Sequence, residues 1–151
     1  MNSDFLKRAI EAGDYDADVL RQIDTLVAEK VMGWKITPDP NYHSLGGAMF
    51  AVQPDGSRKF LWHLRNGVSS GENGWTPTED ISVAWQVVEK MRSLGWRFEM
   101  FDTAHGSWVV RLGRGEYDRY ENEWDEEYIA DNNSLTLAIC LAELRVAGVD
   151  V

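Results

Sequence analysis

The run Phe60-Leu61-Trp62-His63-Leu64-Arg65 brings aromatic rings, an imidazole and a guanidinium into six consecutive residues. Nucleotide recognition calls for such groups: flat rings to stack on a base, and cations or N–H donors to meet phosphate. Strand alternation predicts Phe60, Trp62 and Leu64 on one face, with Leu61, His63 and Arg65 on the other. Arg97, Arg111, Arg114 and Arg119 follow on a second strand pair and its exit. Trp75 stands before a helix whose N-terminal N–H groups could meet an anion, although Asp80 at that end opposes one. The candidate ligand-binding set is therefore Trp62, His63, Arg65, Trp75, Arg97, Arg111 and Arg114. The competing reading places Trp62, Trp85, Trp96 and Trp108 in the core, where large aromatics usually go. Trp75, in a loop, divides evenly between core and pocket.

Catalysis finds no matching set. His43, His63 and His105 are widely spaced, and no H-x-x-x-H pair, Walker loop or G-x-G-x-x-G after a strand occurs. Ser69-Ser70-Gly71 has no matched histidine, and Gly113-Arg114-Gly115 is a turn-like fragment. Glu121, Glu123, Asp125, Glu126 and Glu127 supply oxygens for calcium but lack the loop glycine and regular spacing of an EF-hand. They read instead as a solvated acidic loop or helix face. Cys140 is alone, inside the apolar run Leu137 to Leu144, so it forms no intrachain disulfide and reads as a small core residue. The expectation is a non-enzyme with no metal and no cofactor.

The chain has 151 residues, 44% of them hydrophobic, enough for one domain with a real core. Its net charge of −10 argues against non-specific nucleic-acid binding over the whole surface. The charge is uneven. Residues 115–133 hold eight carboxylates against Arg119 alone and carry −7, which leaves −3 for the rest. Tyr117, Tyr120, Trp124 and Tyr128 are interleaved with those carboxylates, a composition suited to a protein interface or to a mimic of DNA charge. No apolar run is long enough to span a membrane, and residues 1–8 lack a signal-peptide core. The expected location is cytoplasmic.

The elements that position these residues follow from periodicity and caps. Residues 3–12 predict a short helix with Ser3 as cap, and Asp16 caps a longer helix over about 17–32, closed by Gly33. Residues 37–47 read as a loop, 48–53 and 59–64 as a hairpin around Pro54-Asp55-Gly56-Ser57, and 66–78 as a Gly/Ser-rich loop. Thr78, Glu79 and Asp80 open the next helix, with Ile81, Ala84, Trp85, Val88 and Met91 on its apolar face and Gly95 at its end. Residues 96–102 and 107–112 pair across Thr103-Ala104-His105-Gly106, with Val109 and Arg111 on one face of the second strand. Gly113 and Gly115 loosen the chain before the acidic stretch. Ser134 caps a last helix over about 135–147, ended by Gly148. That helix is apolar nearly all round, so it predicts burial on more than one side, between the sheet and a second layer or in a subunit interface. With seven tryptophans to cover, a homo-oligomer, dimer or larger, is the expectation.

Three segments coincide with one family. They are Leu26-Val27-Ala28-Glu29-Lys30-Val31-Met32-Gly33-Trp34, the stretch Trp75-x-Pro77-x-x-Asp80-Ile81-x-x-Ala84-Trp85-x-Val87-Val88-Glu89, and Leu137-Ala138-Ile139-Cys140-Leu141-Ala142-x-Leu144. Together they resemble the phage ABA sandwich domain, a family of small phage and prophage proteins first known from bacilli. The resemblance covers roughly residues 20–150. It implies an α/β fold, a single-domain α-β-α sandwich with a mostly antiparallel sheet between helices, spanning 16–150 after an N-terminal extension over 1–15. The extension and the acidic insertion near 116–131 depart from the family pattern. Most of the family has no assigned activity; by fold, one branch is similar to phage sponge proteins that counter the Thoeris defence by binding cyclic ADP-ribose signals without cleaving them, some of which also trap cyclic oligonucleotides. The resemblance thus implies a phage anti-defence protein that sequesters a cyclic nucleotide immune signal in the infected host's cytoplasm. The alternative is a phage protein that inhibits a host protein through the acidic aromatic segment 116–131.

Overall fold

A computed structural model describes residues 3–42 and 47–151; His43 and Gly46 lie outside them, and so does the expected cap made by the Ser3 side chain. Helix α1 spans Ser3–Glu11. Helix α2 spans Ala17–Leu26, its Asp16 cap accepting from the Val19 N–H at 2.9 Å as the sequence predicts. Its continuation over Val27–Val31 winds as a π-helix, where periodicity predicts more α-helix. Gly33 then turns the chain at φ 73. The following strands are β1 (Lys35–Asp39), β2 (Ala48–Val52), β3 (Arg58–Arg65) and β4 (Val68–Ser70). They form an antiparallel sheet in that order. Strands β1 and β4 correct the loops expected over 37–47 and 66–78. Pro38 is tolerated because β1 lies at the sheet edge.

Helix α3 spans Ile81–Ser93 and is capped by Asp80, which accepts from the Ser82 and Val83 N–H groups. A second antiparallel sheet holds β5 (Arg97–Asp102), β6 (Trp108–Asp118) and β7 (Glu123–Asn132) in that order. Helix α4 spans Leu135–Val146, with Ser134 accepting from the Leu137 N–H as expected.

The result is a single-domain α/β sandwich whose strands divide between two antiparallel sheets. Helix α2 packs on β3 and β4, α4 packs on β6 and β7, and the two helices meet, with α3 against α4 and β5. Every residue from Leu137 to Leu144 is buried. The all-round apolar character of α4 is thus absorbed within one chain. Helix α3 corrects one detail: Ala84, Val87, Val88 and Met91 face the core, while Ile81 and Trp85 stay partly exposed. Trp85 packs edge-on against Phe98 at 5.6 Å between ring centroids.

A polar clamp ties the loop before α3 to α2. Buried Arg21 approaches Asp24 at 3.0 Å and Glu79 at 3.1 Å, and the Thr78 N–H donates to Asp24 Oδ1 at 2.9 Å. Burial raises the Asp24 carboxyl to about 7, against the pull of Arg21. Gly71 lies flat against the Arg21 guanidinium, where a Cβ would overlap Nη1. This clamp carries the chain from the first sheet to the second.

Candidate functional site

The acidic segment is neither a loop nor a helix face. It forms most of the β6–β7 hairpin, the first correction that bears on function. Its charges are tolerated on strands because several pair across the ladder. Arg114 lies opposite Glu126 in the register and binds it at 3.1 Å, while its guanidinium stacks over Trp96 at 4.4 Å. The ladder shifts register between Arg114 and Tyr117. The two residues between them, Gly115 and Glu116, face Asp125 alone, so β6 carries one extra residue and bends. Gly115 takes φ 93 there, and Asp125 Oδ2 accepts the Glu116 N–H at 2.9 Å.

Beyond the bulge the hairpin turns back onto the outer face of the second sheet. Trp124 covers Gly113, whose missing side chain makes the room, and its indole N–H donates to Glu99 Oε1 at 2.9 Å. Arg111 reaches Glu99 at 2.6 Å, Glu127 at 3.7 Å and the Asn122 carbonyl at 2.8 Å. Burial alone would raise Glu99, but the Trp124 and Arg111 bonds outweigh it and hold the carboxyl below its ordinary range. Tyr117 stacks tilted on Trp124 at 5.2 Å and donates its hydroxyl to Asn122 Oδ1. Asp118 Oδ1 accepts from the Tyr120 and Glu121 N–H groups, fixing the tip turn. Glu116, Asp118, Glu121 and Glu123 are exposed on this bent tip, and Tyr120 is 100% exposed.

The residues proposed from sequence as a ligand site do not converge. Trp62 is buried and donates its indole N–H to Thr25 at 2.9 Å. Trp75 is 2% exposed, against Trp34 at 4.9 Å. A register shift between Met49 and Phe50 breaks the simple alternation, so His63 and Phe60 stack on one another at 5.7 Å. His63 Nδ1 is buried without a partner. Arg65 pairs with Glu72 at 3.0 Å. Arg111 and Arg114 sit in the hairpin contacts just described. Arg97 is exposed and makes no ion pair among the described residues.

Residues 25–144 match the phage ABA sandwich domain family. The chain belongs to that family. Its fold resembles a crystal structure of a phage protein from Bacillus cereus ATCC 14579, with a TM-score of 0.51 and 17% identity over 87% of this chain and 89% of that one. At that identity the likeness speaks for the fold alone. No match is found among curated proteins.

For this phage ABA sandwich protein, the residues that sequence reasoning missed are Glu99, Gly113, Gly115 and Asn122. Glu99 joins Arg111 to Trp124, Gly113 admits the indole, and Gly115 bends the strand. The signal lies in Gly113 and Gly115, the pair of glycines flanking Arg114, which sequence alone presents as a loosened chain. Two glycines inside a strand pattern mark a bulge and a close approach equally well. The arrangement offers a rigid acidic surface with an aromatic tip. Among the described residues, no group of three His, Cys, Asp or Glu is placed to hold a metal, and no helix is long and apolar enough to cross a membrane.

Proposed function

We propose that this phage-family protein is a binding protein, not a catalyst, and that it engages a basic surface on a host protein through the bent tip of the β6–β7 hairpin. One observation carries the reading: exposed Glu116, Asp118, Glu121, Glu123 and Tyr120 stand on a turn fixed in shape by Arg111, Trp124 and the Gly115 bulge. Long-range attraction from such a surface speeds encounter, and a preformed shape lowers the entropy cost of binding. Tyr120 supplies an aromatic anchor of the kind that dominates interface energetics. The place of action is the cytoplasm of the infected bacterium.

The test is affinity capture from host lysate by the wild-type chain and by the variant Glu116→Gln, Glu121→Gln, Glu123→Gln, Tyr120→Ala. None of these side chains anchors the hairpin. The reading expects a salt-sensitive basic protein retained by the wild type and lost by the variant. Identical capture profiles would remove the hairpin from the interface.

Sequestration of a cyclic nucleotide without cleavage is the second reading. Unpaired Arg97 and the stack of Phe60 on partly exposed His63 favour it. Against it, Arg65, Arg111 and Arg114 are ion-paired, and Trp62 and Trp75 are core. Depletion of a cyclic nucleotide from the ultrafiltrate, with intact ligand recovered after heat denaturation, would favour it over the hairpin reading. Altered ligand would make the protein an enzyme.

A further inference from the structure

A cleft of about 880 Å³ opens at the end of β7 remote from the tip loop, a size within the range of small-molecule sites. Three carboxylates line it from three separate elements: Glu11 at the end of α1, Glu79 before α3 and Asp131 near the end of β7. Glu79 shares its charge with Arg21. Glu11 and Asp131 are exposed and, among the described residues, make no ion pair, although Glu11 lies close enough to Lys7 to raise its ammonium. Among the described residues lining the cleft there is no Lys, Arg or His. Ile10 and Leu20 add aliphatic surface, and half-buried Tyr15 adds a ring.

An anion meets an excess of negative charge here, so phosphate ligands are disfavoured. A single metal ion would need its oxygens to converge, and these carboxylates do not form such a group. A chain molecule with separated positive charges answers every wall at once. Its ammonium groups meet carboxylates in charge-assisted hydrogen bonds, its methylenes lie along Ile10 and Leu20, and the Tyr15 ring accepts a cation on its face. The geometry points to a binding site for a linear aliphatic polyamine in this cleft. The wall carrying Ile10, Glu11 and Tyr15 precedes residues 25–144, whereas Glu79 and Asp131 lie within them, so the family match covers only part of the site.

Calorimetric titration of the full chain with spermidine at physiological salt tests this. A protein of charge −10 attracts any polycation, so the variants must separate a site from a surface. Saturable one-to-one binding is expected. Glu11→Gln with Asp131→Asn should weaken it about tenfold or more. Ala12→Phe, which narrows the cleft without changing charge, should weaken it too. Glu116→Gln, Glu121→Gln, Glu123→Gln on the hairpin tip should leave it within about twofold. Non-saturable binding, equal weakening by tip and cleft variants, or wild-type affinity in both cleft variants would overturn the site. The tip variant also tests the hairpin reading, so the two proposals fail separately.

Discussion

Glu143 is the side chain that the surrounding core accommodates least easily. It is 0% exposed, and neither carboxyl oxygen has a hydrogen-bond partner. Burial therefore pushes its carboxyl well above the ordinary value. Buried Cys140, one helical turn away, is raised for the same reason, with Glu143 and Asp24 adding to it, and stays a thiol. The sign of the pH effect follows from linkage. A carboxyl whose folded pKa is raised contributes stability fully present below its unfolded pKa, and that contribution is lost as pH rises through the folded pKa. Glu143 and Asp24, the latter at about 7 against 3.8, act in the same direction. The urea midpoint should therefore fall between about pH 5 and about pH 8. Glu143→Met should raise stability at the upper pH by about 1–3 kcal/mol and flatten part of that slope, because it removes an unsatisfied buried group of similar volume. A midpoint that rises with pH over this window would contradict the account. A second residue-scale case is Gly71, where a Cβ would overlap the buried Arg21 guanidinium. Gly71→Ala should cost about 1–3 kcal/mol in denaturant melts, the usual price of overpacking.

At the scale of elements, helices and their ends were legible in the sequence, and strand edges were not. Asp16 and Ser134 cap the helices they are expected to cap, Asp80 is the one of Thr78, Glu79 and Asp80 that caps α3, and Gly33, Gly95 and Gly148 turn the chain at positive φ after these helices. These signals are local, so a single sequence contains them. Strand β1 was hidden by Pro38, which a central strand would reject but an edge strand accepts. The acidic hairpin was hidden because its stabilising contacts are distant in sequence: Arg111 with Glu99, Trp124 with Glu99, and Trp124 over Gly113. The ligand set failed to gather for the same reason, since Arg65, Arg111 and Arg114 found carboxylates and Trp62 and Trp75 found the core. Gly115 gives this element its test. Its φ of 93 and its closeness to Asp125 make Gly115→Ala doubly unfavourable. The variant should lose about 1–3 kcal/mol. It should also shift the Trp124 indole N–H resonance, as the bond to Glu99 loosens. An unchanged resonance would show that the bend does not set the position of Trp124.

For the whole molecule, the balance of charge and apolar surface decides how it meets other molecules. The expected self-association rested on α4 and on seven tryptophans. Helix α4 is buried within one chain, as are Trp34, Trp62, Trp75 and Trp96. The remaining exposed apolar groups on the outer face of the second sheet include Phe101, in register with Val109 and Asp131, and Ile129, in register with Arg111. Light scattering at micromolar concentration should therefore return the 17.2 kDa monomer. A dimer mass would point to that sheet face, because residues 137–144 of α4 are buried within the chain. What is left outside is strongly acidic and concentrated on one bent hairpin, and the central claim is that this hairpin is the binding surface. Photo-crosslinking in infected cells tests it most directly, with a benzophenone side chain placed at Tyr120 on the tip or at Lys90 on α3. The account predicts a discrete covalent adduct with a basic host protein from position 120 and none from position 90. No adduct from position 120, or the same adduct from both positions, would contradict it.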